Sequence, residues 1–474
     1  MPQRRPQRTK LSLLGWLLHA LRFIRNYALR KRHARSASHE LAEHALPTGI
    51  NQEAVRELFA DIAKAGLESN KEQGGNHSVS GATAGINANL NASGPCDRLT
   101  EEQVSAGAGE GRGADQALTA YTERERSLIH RIHHETEVAN RNNVTRTEAY
   151  RAVYYRCPEL QWALLAHLVS RNGGWNMTDL QGDLLPELLD EETRRHMFIL
   201  LERINALIFH DAYPQLLLYE ASRKEGRDLS RMLPCFGVSR FMLPVWSQFW
   251  QRQDSVLLTT ALIVNEQHVI EKPLVQSEYF KAHVLKKASF LLQIPLQTNT
   301  VVLPYGSPLD AGGEMMLAGL VLERFSELSE RIEFGKRLYA ILIGVPEVMK
   351  GVMAFVRGVH HTGSRADYAP HLFTRERSSG QGKASFQERL EGCSLLDGAN
   401  KLLSPELSAA WEDMPFEPPA REDWFEHKDA VRTYFAALPL PDIFEITFEH
   451  CMALNKLELA VQARRRFGSH TKRR

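Results

Sequence analysis

The sequence predicts an all-α protein: a single large multi-helix globular body with a buried central helix, preceded by a basic amphipathic helix and a disordered linker. Three observations carry this. Nearly every segment from Ala117 to Gln462 repeats its apolar residues at helical spacing. One of them, "SVLLTTALIVNEQ" (residues 255–267), is apolar all round, as a helix enclosed by others must be. Only "TNTVVLPY" reads as a strand, and one short strand makes no sheet.

Residues 1–35 carry ten Lys/Arg and no acid. Within them, "LSLLGWLLHALRFIRNYALRKR" sets Leu14, Leu17, Leu18, Leu21 and Ile24 against a polar side, an amphipathic helix. It is too short and too charged to span a bilayer, which needs about 20 apolar residues, and no small-residue cleavage site follows it. Trp16, Arg22, Phe23, Arg25, Arg30, Lys31 and Arg32 suit an anionic membrane surface. The alternative is a helix that docks on the body. Nucleic acid is disfavoured, since no reading motif surrounds the basic residues. Residues 36–69 hold one short helical region, and 70–116 form a Gly/Ala/Ser/Asn-rich linker without periodicity. The helical core covers 117–462, and a basic tail covers 463–474. Between the two cationic ends the chain carries a net charge of −15 (42 basic against 57 acidic residues). The ends rather than the body therefore meet any anionic partner.

Five cysteines lie far apart and none forms a CxxC pair. This spacing predicts no structural disulfide and no zinc site, and it fits a reducing, cytoplasmic location with peripheral attachment to the inner membrane face. No GxSxG elbow, Walker A loop, dinucleotide fingerprint or paired ExxH motif occurs, so no cofactor is expected.

Four polar stretches stand out. "SRNGGWNMTD" (residues 170–179) reads as a turn between helices, with Gly173 ending one and Asn176 capping the next. That reading leaves Arg171, Asn172 and Trp175 unexplained. "HDAYPQ" (residues 210–215) likewise joins two helices, with Asp211 as a cap and Pro214 in the first turn. Asn265 and Glu266 end the most apolar helix, where they either complete a buried hydrogen-bond network or supply a carboxyl of raised pKa. "VHHTGSRADYAPHLF" gathers His361, Arg365, Asp367, Tyr368 and His371 on one loop. Its spacing matches no zinc signature; a structural loop, an anion-binding loop and a metal site built on its His and Asp remain open. His167 reads as a satisfied core histidine, and His130 with His134 as a surface pair. Thr145, with Glu148 three residues on, reads as a capping box.

The segments "NNVTRTEAYRAVYYRCPELQWALLAHLVSRNGGWNMTDLQGDLLPELL", "ERINALIFHDAYPQLLLYE", "LIVNEQHVIEK" and "HHTGSRADYAPHLF" resemble the YppC-like family of Gram-positive spore-forming bacteria, a domain of unknown function. The resemblance covers most of residues 117–460. It implies a bacterial protein and brings no activity or cofactor with it. Two expectations follow. The first is a membrane-surface binding or scaffold module with a protein or small-molecule partner. The second is an enzyme, such as a hydrolase, whose pocket joins the four polar stretches. In that enzyme Glu266 or Asp211 would be the acid or base, Arg365 the anion anchor and His361 a base.

Overall fold

The computed structural model describes residues 31–65, 121–285, 299–306, 316–377, 389–420 and 422–471, with side chains to residue 465. Trp16, Arg22, Phe23, Arg25 and Arg30 lie outside the described residues, as does the linker. The fold is predominantly helical.

Residues 31–43 form helix α1, which exposes Lys31 and Arg32. Its Ala34, Ser38 and Leu41 recur on one face and are buried. The Ser38 hydroxyl accepts the backbone N–H of Phe444 at 3.0 Å and of Glu445 at 2.9 Å, so α1 is fastened to the body. Helix α2 (Gln52–Lys64) is capped by Asn51 and buries Leu58, Phe59 and Ile62. Helix α3 (Glu123–Ala139) follows, with His130 and His134 exposed. Helix α4 (Asn143–Arg156) corrects the expected cap. Asn142 accepts from the Thr145 N–H at 3.0 Å, and the Thr145 hydroxyl accepts from the Asn142 N–H at 3.1 Å, closing the box three residues earlier.

Helix α5 (Gln161–Asp179) runs through the whole of "SRNGGWNMTD", so the expected turn is absent. The glycines make room rather than end the helix. A Cβ on Gly174 would collide with Asn143 Oδ1 and lie 2.8 Å from His361 Nε2; one on Gly173 would lie 3.1 Å from the Asn205 amide. Helix α6 (Glu191–Glu225) likewise runs through "HDAYPQ" with Pro214 inside it, and Asp211 caps nothing. The Gln215 side-chain amide donates to the Asp211 carbonyl at 3.0 Å and to its carboxylate at 2.9 Å, bracing the turn that the proline interrupts.

Helix α7 (Met242–Arg252) packs on α2, where Gln248 donates to the Ala54 carbonyl at 2.8 Å. Helix α8 (Ser255–Ile270) is the central helix foreseen from its sequence, enclosed by α5, α6 and α7 and by helix α9 (Leu328–Gly344). Helix α10 (Pro346–Gly358) turns away from α9 by 91°. Among the described residues no single helix is long and apolar enough to cross a membrane.

Strand β1 (Thr300–Tyr305) does have a partner: it pairs antiparallel with β2 (Met316–Val321), contrary to the single strand expected. Two-residue strands complete the set, with β3 (Phe373–Thr374) parallel to β6 (Leu402–Leu403) and β4 (Leu390–Glu391) antiparallel to β5 (Ser394–Leu395). Helix α11 (Thr447–Thr471) closes the chain. It corrects the cysteine expectation, because Cys451 on α11 and Cys393 between β4 and β5 form a disulfide across 58 residues of sequence. The Asn455 amide donates to the Gly392 carbonyl at 2.7 Å, and the Glu458 carboxylate accepts the Leu390 N–H at 3.0 Å, so the β4–β5 hairpin is pinned to α11 at three points.

Candidate functional site

The helices leave a cavity of about 900 Å³ between α5, α6, α8 and α9. Its walls are apolar: Leu165 from α5, Leu201, Ile204 and Ile208 from α6, Phe334 and Leu338 from α9. The apolar faces of α5, α6 and α9 account for this, while α8 adds Glu266, Gln267 and Ile270 from its C-terminal end. Of the candidate residues read from the sequence, Asn172 and Glu266 line this space. Asn172 is fully occupied in holding β1 to α5. Its amide donates to the Leu168 and Val302 carbonyls at 2.9 and 2.8 Å, and its oxygen accepts the Val302 N–H at 2.8 Å.

Glu266 is different. It sits near the C-terminal end of the central helix with its carboxyl toward the cavity. Burial pushes its pKa up to about 8; hydrogen bonds from Gln267, at 3.1 Å, and from Trp162 pull it down, and Asp211 adds to the rise. The acid is therefore mostly neutral at pH 7 in the empty cavity. Beside it, Tyr150 from α4 stands edge-on to Trp162 from α5, with ring centroids 5.5 Å apart. Tyr150 is 3% exposed, and its hydroxyl finds no hydrogen-bond partner among the described residues. Sequence reasoning missed Tyr150 and Trp162. Both lie in ordinary helical runs, and only the packing of α4 on α5 and of α5 on α8 brings them to Glu266.

The other candidates form two packed networks away from the cavity lining. In the first, Asp367 accepts the Thr362 N–H at 2.9 Å, the Thr362 hydroxyl at 2.6 Å, Arg375 at 3.1 Å and the Trp175 indole at 3.5 Å. Burial alone would raise the Asp367 pKa, but its bond to His361 and these donors lower it to about 2. His361 Nδ1 lies 3.5 Å from Asp367 and its Nε2 lies 3.0 Å from Asn143 Oδ1. Burial, aided by Arg171, lowers its pKa to about 4, so the ring is neutral at pH 7. Arg171 donates to His167 Nε2 at 3.0 Å and to the Val359 carbonyl. His167 is also held by the Thr147 carbonyl at 2.8 Å, as expected of a satisfied core histidine. Arg365 grips Asp179 with two nitrogens at 2.8 and 2.6 Å and donates to the Tyr368 hydroxyl at 2.5 Å, which meets His450 at 2.9 Å. His371 is half-buried at the end of this loop. In the second network Asn265 donates to Asp211 at 2.6 Å and accepts from the Trp424 indole at 2.9 Å. Among the described residues no three His, Cys, Asp or Glu are grouped to hold a metal.

What remains chemically open among the described residues is an apolar cavity with a carboxyl on one wall, backed by a buried phenol and indole. A family model described as "Protein of unknown function (DUF2515)" matches residues 138–442, which include all of the wall residues named above. The chain is 37% identical over 322 residues to "Uncharacterized protein YppC" of Bacillus subtilis (strain 168), covering 68% of this chain and 90% of that protein. No solved structure matches it. The chain belongs to the DUF2515 family of proteins of unknown function, which includes the YppC-like proteins it resembles.

Proposed function

We propose that this protein is a binding module that encloses an apolar small molecule. The cavity carries the reading. Its volume, about 900 Å³, lies within the range of about 300–1,000 Å³ typical of ligand pockets, and a mostly apolar lining with a few convergent polar groups is their usual chemistry. The hydrolase alternative needs His361, Arg365 and Asp367 beside the same substrate atoms as Glu266. Those three are instead spent on each other and on helix ends, which favours binding over catalysis. The test uses the full chain and the lipophilic fluorophore N-phenyl-1-naphthylamine. Saturable one-to-one binding is expected, weakened at least about tenfold by Ile204→Trp, whose indole would fill the space; tenfold corresponds to about 1.4 kcal/mol. Absent saturation, or equal affinity in a folded Ile204→Trp variant, would remove the reading.

The exposed Lys31 and Arg32 at the head of a docked α1, next to the acid-free N-terminal stretch, support a second reading: attachment of the module to an anionic membrane surface. Because α1 packs on the body, the informative truncation removes residues 1–30 and keeps α1. Flotation of the full chain with phosphatidylglycerol vesicles, lost in the truncated form and at high salt, is the expected result. Equal flotation of both forms would exclude the attachment.

A further inference from the structure

Glu266 is a carboxyl on an apolar wall with no cation paired to it among the described residues. The arginine nearest to it in the hydrogen-bond network, Arg331, is already spent. Arg331 donates to Gln267 Oε1 at 2.9 Å and to the Phe325 carbonyl at 2.7 Å, and it is ion-paired with Glu271. Of the other carboxylates on the lining, Asp179 is held by Arg365 and Glu323 is exposed at the rim beside Arg324, which is paired with Glu327 and Glu330. Arg464 lies at the exposed rim on α11. The charged group felt at Glu266 is Asp211, which adds negative potential. Buried carboxylates are as a rule paired; Glu266 has no cationic side chain beside it among the described residues and lines the cavity.

Two aromatic side chains, Tyr150 and Trp162, pack behind that carboxyl. Tyr150 is 3% exposed and Trp162 1%, so they back the carboxyl with buried aromatic surface and leave Glu266 as the polar group open to the cavity. From this juxtaposition of an unpaired carboxyl and an apolar space we infer that the cavity takes a cationic amphiphile, with a primary ammonium head bound by the Glu266 carboxylate and with its apolar tail among the leucines of α5 and α6. The inference rests on the apolar-ligand reading above and adds the charge and place of the ligand's head. A neutral head leaves Glu266 neutral and forgoes the ion pair. An anionic head would meet the negative potential of Asp211 and gain no ion pair.

Proton linkage accompanies this mode. The titratable and charged groups around Glu266 are Asp211 from α6 and Tyr150 from α4, with Arg331 of α9 one hydrogen bond away through Gln267. Since burial holds Glu266 protonated up to about pH 8, binding an ammonium at pH 6–7 expels that proton. Affinity then rises with pH toward 8.

The experiment compares dodecylamine, dodecanol and dodecanoate, each below its micelle concentration, by calorimetry on the full chain and on the Glu266→Gln and Tyr150→Phe variants. Expected is an order of dodecylamine over dodecanol over dodecanoate. Glu266→Gln should weaken the amine at least about tenfold and leave the alcohol within about twofold, and Tyr150→Phe should weaken the amine less. Heats measured at pH 6.5 in two buffers should differ by the ionisation heat of the expelled proton. If dodecanol and dodecylamine bind equally and Glu266→Gln changes neither, the cationic head is refuted while the apolar cavity stands. If dodecanoate binds best, the head site is anionic and the inference is wrong. If none of the three binds, the cavity reading of the previous subsection falls with it.

Discussion

Replacing Arg146 with alanine should destabilise the fold by about 3–5 kcal/mol, the cost of breaking a buried ion pair and leaving one charge without a partner. Arg146 is 1% exposed and Glu202 3%, and the guanidinium meets the carboxylate at 2.6 Å. A further arm of the guanidinium donates to the Asn140 carbonyl and side-chain oxygen, each at 3.2 Å. Asn140 in turn donates to the Ala206 carbonyl at 3.1 Å. One side chain on α4 thus locks the end of α3 to the middle of α6, the helix that supplies much of the cavity wall. Glu202→Ala should be of similar severity, because it strands the guanidinium instead. The double replacement Arg146→Met with Glu202→Leu should recover most of the loss, since apolar groups of comparable volume carry no desolvation cost. Denaturant unfolding measures all three. A single-variant loss below about 1 kcal/mol would mean that water reaches the pair and that α3, α4 and α6 are not joined as described.

The helical class and the central helix were legible because both follow from periodicity. "SVLLTTALIVNEQ" is apolar on every side, and a soluble chain can place such a helix only inside others. What escaped was set by contacts distant in sequence. Gly173 and Gly174 beside Asn172 have the local composition of a helix end, yet α5 continues because Asn143 and His361 press against Gly174 from residues 31 earlier and 187 later in the chain. Pro214 has the composition of a boundary, yet α6 continues with Gln215 bracing the interrupted turn. The β1–β2 pairing and the Cys393–Cys451 disulfide escaped for the same reason: neither half of either carries a local sign of the other. The candidate site was half legible. Glu266 stood out as an acid at the end of an apolar helix. Tyr150 and Trp162 did not, since an aromatic at a helical position is ordinary core until a neighbouring helix places it beside a carboxyl. His361, Arg365 and Asp367 drew notice by clustering in sequence, and the cluster turned out to tie a loop to helices.

Glu266→Gln should make the ligand-free protein more stable at pH 8, and the gain should vanish toward pH 4.5. The sign follows from the two pKa values. Folding raises the acid from about 4.5 to about 8, so between those limits the folded state binds more protons than the unfolded state. Stability is then full below pH 4.5, declines as pH rises, and reaches its greatest loss above pH 8. At about 1.4 kcal/mol per pKa unit the loss is on the order of 3 kcal/mol at pH 7, an upper figure because water in the open cavity solvates the carboxylate. Glutamine is nearly isosteric, keeps an oxygen to accept from Gln267 and Trp162, and does not titrate. Its stability should therefore stay level over the range in which the parent declines, apart from the titration both proteins share. Parallel profiles for the two proteins across pH 5–8 would show that Glu266 ionises freely and that the cavity floor is wet. The expected divergence has a functional corollary. A wall residue that weakens the empty protein at neutral pH, and that a glutamine would relieve, has the character of a binding group held ready at a cost in stability. The same substitution should raise the stability of the empty protein and lower its affinity for an ammonium head, opposite signs that a purely structural carboxyl would not produce.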